Sequence, residues 1–317
     1  MPAIKAEKRN GTIELLRIVF CVIILIHHVT LDVYGRVILD PEYQRGVLRY
    51  GALGVEFFFM TSGFFMARSA ARLNGKHTDG IDGSLRFVLN KIKPILFYHV
   101  LFNVMMLTYA AIVDRILLQD ILDQLQSFLF LPAVGFANGS WILGAEWYIG
   151  AMLFAMAVIH PFLTRWFDLV SKYVSSLLCL TLYVYLMKQY HSVMGTDRMI
   201  RAFAGLLMGI AVYQGAQIVA EKLSSPDRRS VSAPGIAALF VIAGYMAYMA
   251  SSLKRDLQPM LVVLLGMALT VVFAERGPIS STGLSTSWAG SACRFTWRRT
   301  TFVRSWRACT QVLKRLL

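Results

Sequence analysis

Residues 17–28 read RIVFCVIILIHH, so that nine apolar residues and one histidine stand between Arg17 and His28. The apolar run extends on both sides, from about residue 12 to 31, which is the length a helix needs to cross the hydrocarbon core of a bilayer. Arg17 and His28 are the exceptions within it, and burying either in hydrocarbon is costly without a partner or water. Eleven positions along an α-helix rise roughly 16 Å and, at about 100° per residue, return His28 to nearly the face that carries Arg17. Glu14 lies three residues before Arg17, the spacing at which a carboxylate meets a guanidinium on a helix surface. The spacing alone leaves two readings open. A long substrate spans the pair, or Arg17 snorkels to a lipid head group while His28 sits at the far interface.

The rest of the chain settles the class. Of 317 residues 56% are hydrophobic and only 16% charged, a composition that excludes an ordinary soluble domain and predicts an all-α, polytopic transmembrane helical bundle. Apolar stretches of spanning length recur at about 12–31, 51–68, 94–113, 141–163, 173–188, 200–220, 235–252 and 257–274, which makes eight spans. Between the third and fourth, residues 114–131 place Leu118, Ile121, Leu122, Leu125, Phe128 and Leu129 on one stripe opposite Asp120, Asp123 and Gln124. That pattern predicts a helix lying on the membrane.

Lys5, Lys8 and Arg9 precede the first apolar run, as in a signal peptide. The run is nevertheless broken by charge, ends in His27-His28 and has no small-residue cleavage site, so it reads as a retained span. The same cations predict a cytoplasmic N-terminus. Alternating the spans from there assigns fifteen lysines and arginines to cytoplasmic segments and nine to outer ones, the expected bias. The net charge of +14 resides mostly in loops and in the C-terminal tail, so anionic lipid or an anionic cytosolic ligand is the expected partner, not nucleic acid. Cys21, Cys179, Cys293 and Cys309 have no spacing that suggests a metal site or disulfide framework.

The second span, GALGVEFFFMTSGFFM, carries Glu56 within an aromatic run, followed by Ser62 and Gly63. Gly54, Ser62 and Gly63 suit close helix approach. Glu56 needs a cation, a donor or a proton, and Arg17 or His28 would serve if the first two helices pack together. Before the third span, Lys91 and Lys93 precede Pro94, which suits a helix start. Lysines at such a mouth, with the helix dipole behind them, would hold phosphates, although ordinary positive-inside lysines look the same. The fourth span opens with SWILGAEWYIGA, in which Trp141 and Tyr148 fit an interfacial belt and Glu146 does not.

Together these segments resemble the acyltransferase 3 family of integral membrane acyltransferases. Arg17 and His28 match its Arg-x10-His motif. Gly54, Val55, Glu56, Phe58, Phe59, Ser62, Gly63 and Phe64 match its second-helix pattern, Lys91, Lys93 and Pro94 its basic segment, and Trp141 and Glu146 its fourth helix, over about residues 10–275. The resemblance implies transfer of an acyl group, commonly acetyl, from acyl-coenzyme A to a hydroxyl of an envelope sugar, polysaccharide or glycolipid. It implies a multi-pass protein of a bacterial-type inner membrane, with acyl-coenzyme A as donor co-substrate and no bound cofactor. The donor's phosphates suit Arg17, Lys91 and Lys93. His28 would act as base toward the acceptor hydroxyl, with Glu56 or Glu146 orienting the imidazole. An acyl-enzyme on Ser62 or His28 ranks below direct transfer, because the sequence shows no nucleophile with an adjacent base. The competing class is a transporter or flippase in which Arg17, His28, Glu56 and Glu146 form a relay, although the inverted repeats common in such folds are absent.

The chain departs from the family at its end, where about ten helices and a late Ser-Tyr-x-x-Tyr-Leu-x-His type of motif are expected. Residues 1–276 read as the membrane domain, with its last helices missing. Residues 277–317 carry seven basic residues, no acidic ones and three of the six tryptophans. This tail reads either as a basic segment binding anionic lipid or as out-of-frame translation, which would leave an inactive family member.

Overall fold

A computed structural model describes residues 11–34, 53–73, 81–113, 121, 125–131, 146–190, 197–222 and 257–274. Among them the secondary structure is helical throughout. It comprises α1 (Gly11–Tyr34), α2 (Gly54–Leu73), α3 (Ile81–Val113), α4 (Glu146–Arg165), α5 (Phe167–Leu169), α6 (Ser175–Tyr190), α7 (Arg198–Lys222) and α8 (Leu257–Ala274). Seven of the eight expected spans are thus helices, while 235–252 and the tail after 276 lie outside the described residues. Among the described residues three segments, Trp147–Arg165, Phe167–Gln189 and Arg198–Val219, are long and apolar enough to cross a membrane by length and composition. Large apolar side chains stay exposed along one side of α3 (Leu85, Leu89, Phe97, Val104) and of α6 (Leu177, Leu180, Val184). Such surfaces suit lipid rather than water.

Contacts divide the described chain into two compact units, one formed by 11–58 with 214–274 and the other by 59–213. In the first, α1 buries Ile13, Leu16 and Phe20 and exposes Leu15, Val19, Val22 and Ile26, an apolar helix with an inner and an outer stripe. Phe20 stacks on Phe57 at 4.5 Å between ring centroids. A methyl group on Gly54 would come within 2.8 Å of Ile24 Cγ1, so the start of α2 lies close against α1. Helix α1 also packs on α8.

In the second unit α2 and α7 touch backbone to backbone. A Cβ on Gly63 would run into the carbonyl of Leu206, and one on Gly209 into the carbonyl of Met60 and, at 2.7 Å, the amide nitrogen of Phe64. Lipid is as apolar as leucine, so contact of this kind, not water exclusion, is what draws helices together in a bilayer. Phe64 meets Tyr213 edge-on at 5.6 Å, and Phe59 packs on Trp147 and Tyr148 of α4.

One local reading is corrected and two gain detail. Helix α3 does not start at Pro94 but runs 33 residues from Ile81 through it. Proline costs the interior the bond to the carbonyl of Asn90, yet one missing bond does not end a helix whose other turns are intact. The stripe expected along 114–131 is only partly described. Its last portion is a single turn at 125–128, closed by Phe130 at φ 58°, and it turns Ser127 and Phe130 inward while Ile121, Leu125 and Leu129 are exposed. The fifth span is entered through α5 and a π-helical turn, Val170–Val174, after a break at Trp166.

Candidate functional site

Helix α1 carries Arg17 and His28 on one continuous helix. By register Arg17, Cys21, Ile24 and His28 share a face. Ile24 abuts Gly54, and Glu56 stands two residues further on, in the first turn of α2. There a carboxylate is favoured by the positive end of the helix dipole, and Glu56 is 1% exposed. Arg17 donates from Nη1 to Glu14 Oε1 at 2.8 Å, with the guanidinium side chain 29% exposed and the carboxylate 10%. The pair therefore holds a partly exposed cation at the edge of the buried stripe.

The remaining residues proposed from sequence lie in the second unit or beyond description. Trp141 is outside the described residues, and for His28 and Glu146 the description stops at the backbone, Glu146 being the first residue of α4. Ser62 is half-buried in α2 beside the Gly63 contact. Lys91 and Lys93 are exposed, but they stand inside α3, beyond its second turn. The dipole of a helix starting at Pro94 is therefore not there to assist them. Lys91 Nζ instead sits 5.3 Å from the centroid of the Phe87 ring.

Sequence reasoning passed over three polar groups in this unit. Trp147, next to Glu146, has Arg198 Cζ 5.5 Å and Arg201 Cζ 5.2 Å from its ring, with Arg201 95% buried. Asp197 caps the same helix, its Oδ1 accepting from the Ile200 amide at 3.2 Å. His99 is buried in α3. It donates from Nε2 to the carbonyl of Ser127 at 2.9 Å, meets Asn103 Nδ2 through Nδ1 at 3.4 Å, and stacks on Phe130 at 3.9 Å. His160 is buried in α4, with Nδ1 2.8 Å from Ser84 Oγ and its ring stacked on Phe87 at 4.2 Å. A histidine or arginine inside an apolar run was the signal for each of the three, the same signal that singled out Arg17 and His28.

No group of three or more histidine, cysteine, aspartate or glutamate side chains is placed to hold a metal among the described residues. The family model described as an acyltransferase domain, acyltransferase 3, matches residues 10–293. No curated protein and no solved structure matches the chain.

Proposed function

This chain belongs to the acyltransferase 3 family, and from that premise we propose that it moves an acyl group, acetyl in the first instance, from cytosolic acyl-coenzyme A to a hydroxyl of an envelope sugar, polysaccharide or glycolipid. The observation that carries the reading is the family match over nearly the whole chain, joined to a helix on which Arg17 and His28 share a face. Arg17, held by Glu14, is the proposed anchor for a phosphate of the donor, since a guanidinium offers two parallel donors to a phosphate. Lys91 and Lys93, exposed on α3, are the cations the family's basic segment suggests for phosphates of the donor. His28 is the proposed partner of the acceptor hydroxyl, because imidazole titrates near working pH and takes a proton as the oxygen attacks the thioester. Glu56 or Glu146 would steady the cationic ring. Membrane helices and family together make this a membrane protein. We place it in the inner membrane of a bacterial-type cell with a cytoplasmic N-terminus, following the cations at Lys5, Lys8 and Arg9.

The test is release of free thiol from acetyl-coenzyme A by purified protein in lipid discs, with envelope sugars as acceptors. The wild type is expected to turn over and His28→Ala to lose about 10²–10⁴-fold in kcat. Arg17→Ala should act chiefly on KM for the donor. Absence of thiol release with every acyl donor, or a folded His28→Ala at the wild-type rate, overturns the reading.

A further inference from the structure

We propose that Ser84 and His160 form a nucleophile and base that take the acyl group from the donor as an ester on Ser84. This rests on the acyltransferase reading above and gives its donor step a covalent stage, for which the sequence showed no nucleophile with an adjacent base.

The two buried histidines of the second unit differ in a way that separates structure from chemistry. His99 has both ring nitrogens engaged, by the Ser127 carbonyl and by Asn103. His160 has Nδ1 against Ser84 Oγ at 2.8 Å, while its Nε2 is buried with no hydrogen-bond partner among the described residues. A nucleophile and base within hydrogen-bond reach, with the base held in orientation by a third group, is the arrangement that activates a hydroxyl. Here the third group is Phe87, stacked on the imidazole at 4.2 Å. Residues 84 and 160 are 3% and 2% exposed, so the pair is shielded from water that would otherwise compete for an ester.

The surroundings suit an incoming thioester. Ser84 lies in the first turn of α3, where the positive end of the helix dipole favours a developing oxyanion. A Cβ built on the neighbouring Gly83 meets nothing within 4 Å, so space is open at the main chain one residue before Ser84. Lys91, seven residues on and therefore on the same face of α3, is an exposed cation for a phosphate of the donor.

The step balances within these groups. Ser84 Oγ attacks the thioester carbonyl carbon and passes its proton to His160 Nδ1. The new C–O bond forms as the C–S bond breaks, and the leaving sulfur takes the proton from Nδ1 to become free thiol. An acceptor hydroxyl then attacks the ester carbonyl carbon and gives its proton to Nδ1. The ester C–O bond to Ser84 breaks, and Oγ recovers the proton.

The experiment uses the full chain in lipid discs with radiolabelled acetyl-coenzyme A, quenched in acid without acceptor, while thiol release is followed in parallel. Label is expected on the peptide containing Ser84, released by hydroxylamine, absent from Ser84→Ala and formed at least about 100-fold more slowly in His160→Gln. Ser84→Cys should trap the acyl group as a thioester, which keeps the test decisive if loss of the hydroxyl weakens the fold. Normal thiol release by a folded Ser84→Ala, with no label on the wild-type peptide, overturns the proposal and leaves the acyltransferase reading standing. No thiol release from any acyl donor overturns both.

Discussion

Replacing Gly209 by alanine tests the backbone contact between α2 and α7 on which the second unit is built. The new methyl would lie 2.7 Å from Phe64 N and would overlap the Met60 carbonyl. Both are main-chain atoms, so no rotamer change makes room. To reach ordinary van der Waals separation the helices must part by about 1 Å, which forfeits a quarter to a half of each dispersion contact across the crossing. Overpacking of this kind costs about 1–3 kcal/mol, and rigid partners place it at the upper end. The better helix propensity of alanine offsets about 1 kcal/mol. The expected net loss is about 2 kcal/mol, roughly a 30-fold shift toward the unfolded state. Gly215→Ala is the internal control, since its methyl would sit 3.6 Å from Val272 Cγ2 in ordinary contact and should be neutral or stabilising by up to about 1 kcal/mol. The double variant Gly63→Ala with Gly209→Ala should lose less than the sum of the singles, because the first methyl already parts the crossing that the second would strain. Reversible unfolding in mixed micelles with a denaturing detergent, followed by circular dichroism, measures all four. Equal stability of wild type, Gly209→Ala and Gly215→Ala would refute the contact.

Two further outcomes follow from the polar groups of the same unit. His99→Ala removes the donor to the Ser127 carbonyl and the stack on Phe130, a loss of about 1–3 kcal/mol for the orphaned carbonyl and about 0.5–1.5 kcal/mol for the ring contact. Phe130, held at φ 58°, should then leave that conformation, seen as faster amide exchange across 125–131; unchanged exchange counts against the role given to His99. Trp147→Ala should cost about 0.5–2 kcal/mol through the lost contacts with Arg198 and Arg201, while Trp147→Phe keeps part of it. Thermal melting in detergent orders the three proteins, and a Phe variant no better than Ala speaks against a ring-face interaction.

The helices themselves were legible in the sequence because a bilayer imposes a length and a composition on each of them, and both are local properties. Composition misled where the backbone was the deciding factor. The polar first half of α3, with Arg86, Lys91 and Lys93, interrupts the apolar run, so the span reads from Pro94, whereas the helix needs only its own hydrogen bonds to begin at Ile81. The motif residues Arg17 and His28 were legible for a related reason. An eleven-residue spacing within one helix fixes a shared face without reference to any other part of the chain.

Pairs between helices were not legible in this way. Ser84 and His160 stand 76 residues apart and His99 and Ser127 stand 28 apart, each pair meeting only because two helices rotate particular faces toward one another. Packing between helices depends on shape, as at Gly63 and Gly209, where the missing side chains let the main chains of α2 and α7 touch. The amino-acid order by itself thus determined an all-helical membrane protein and the helix that bears its family motif. Only the tertiary structure decided which buried histidine is closed on both sides and which has one nitrogen against a serine and the other without a partner among the described residues. A ring nitrogen's partner is set by packing between helices and leaves no trace in the periodicity of either one.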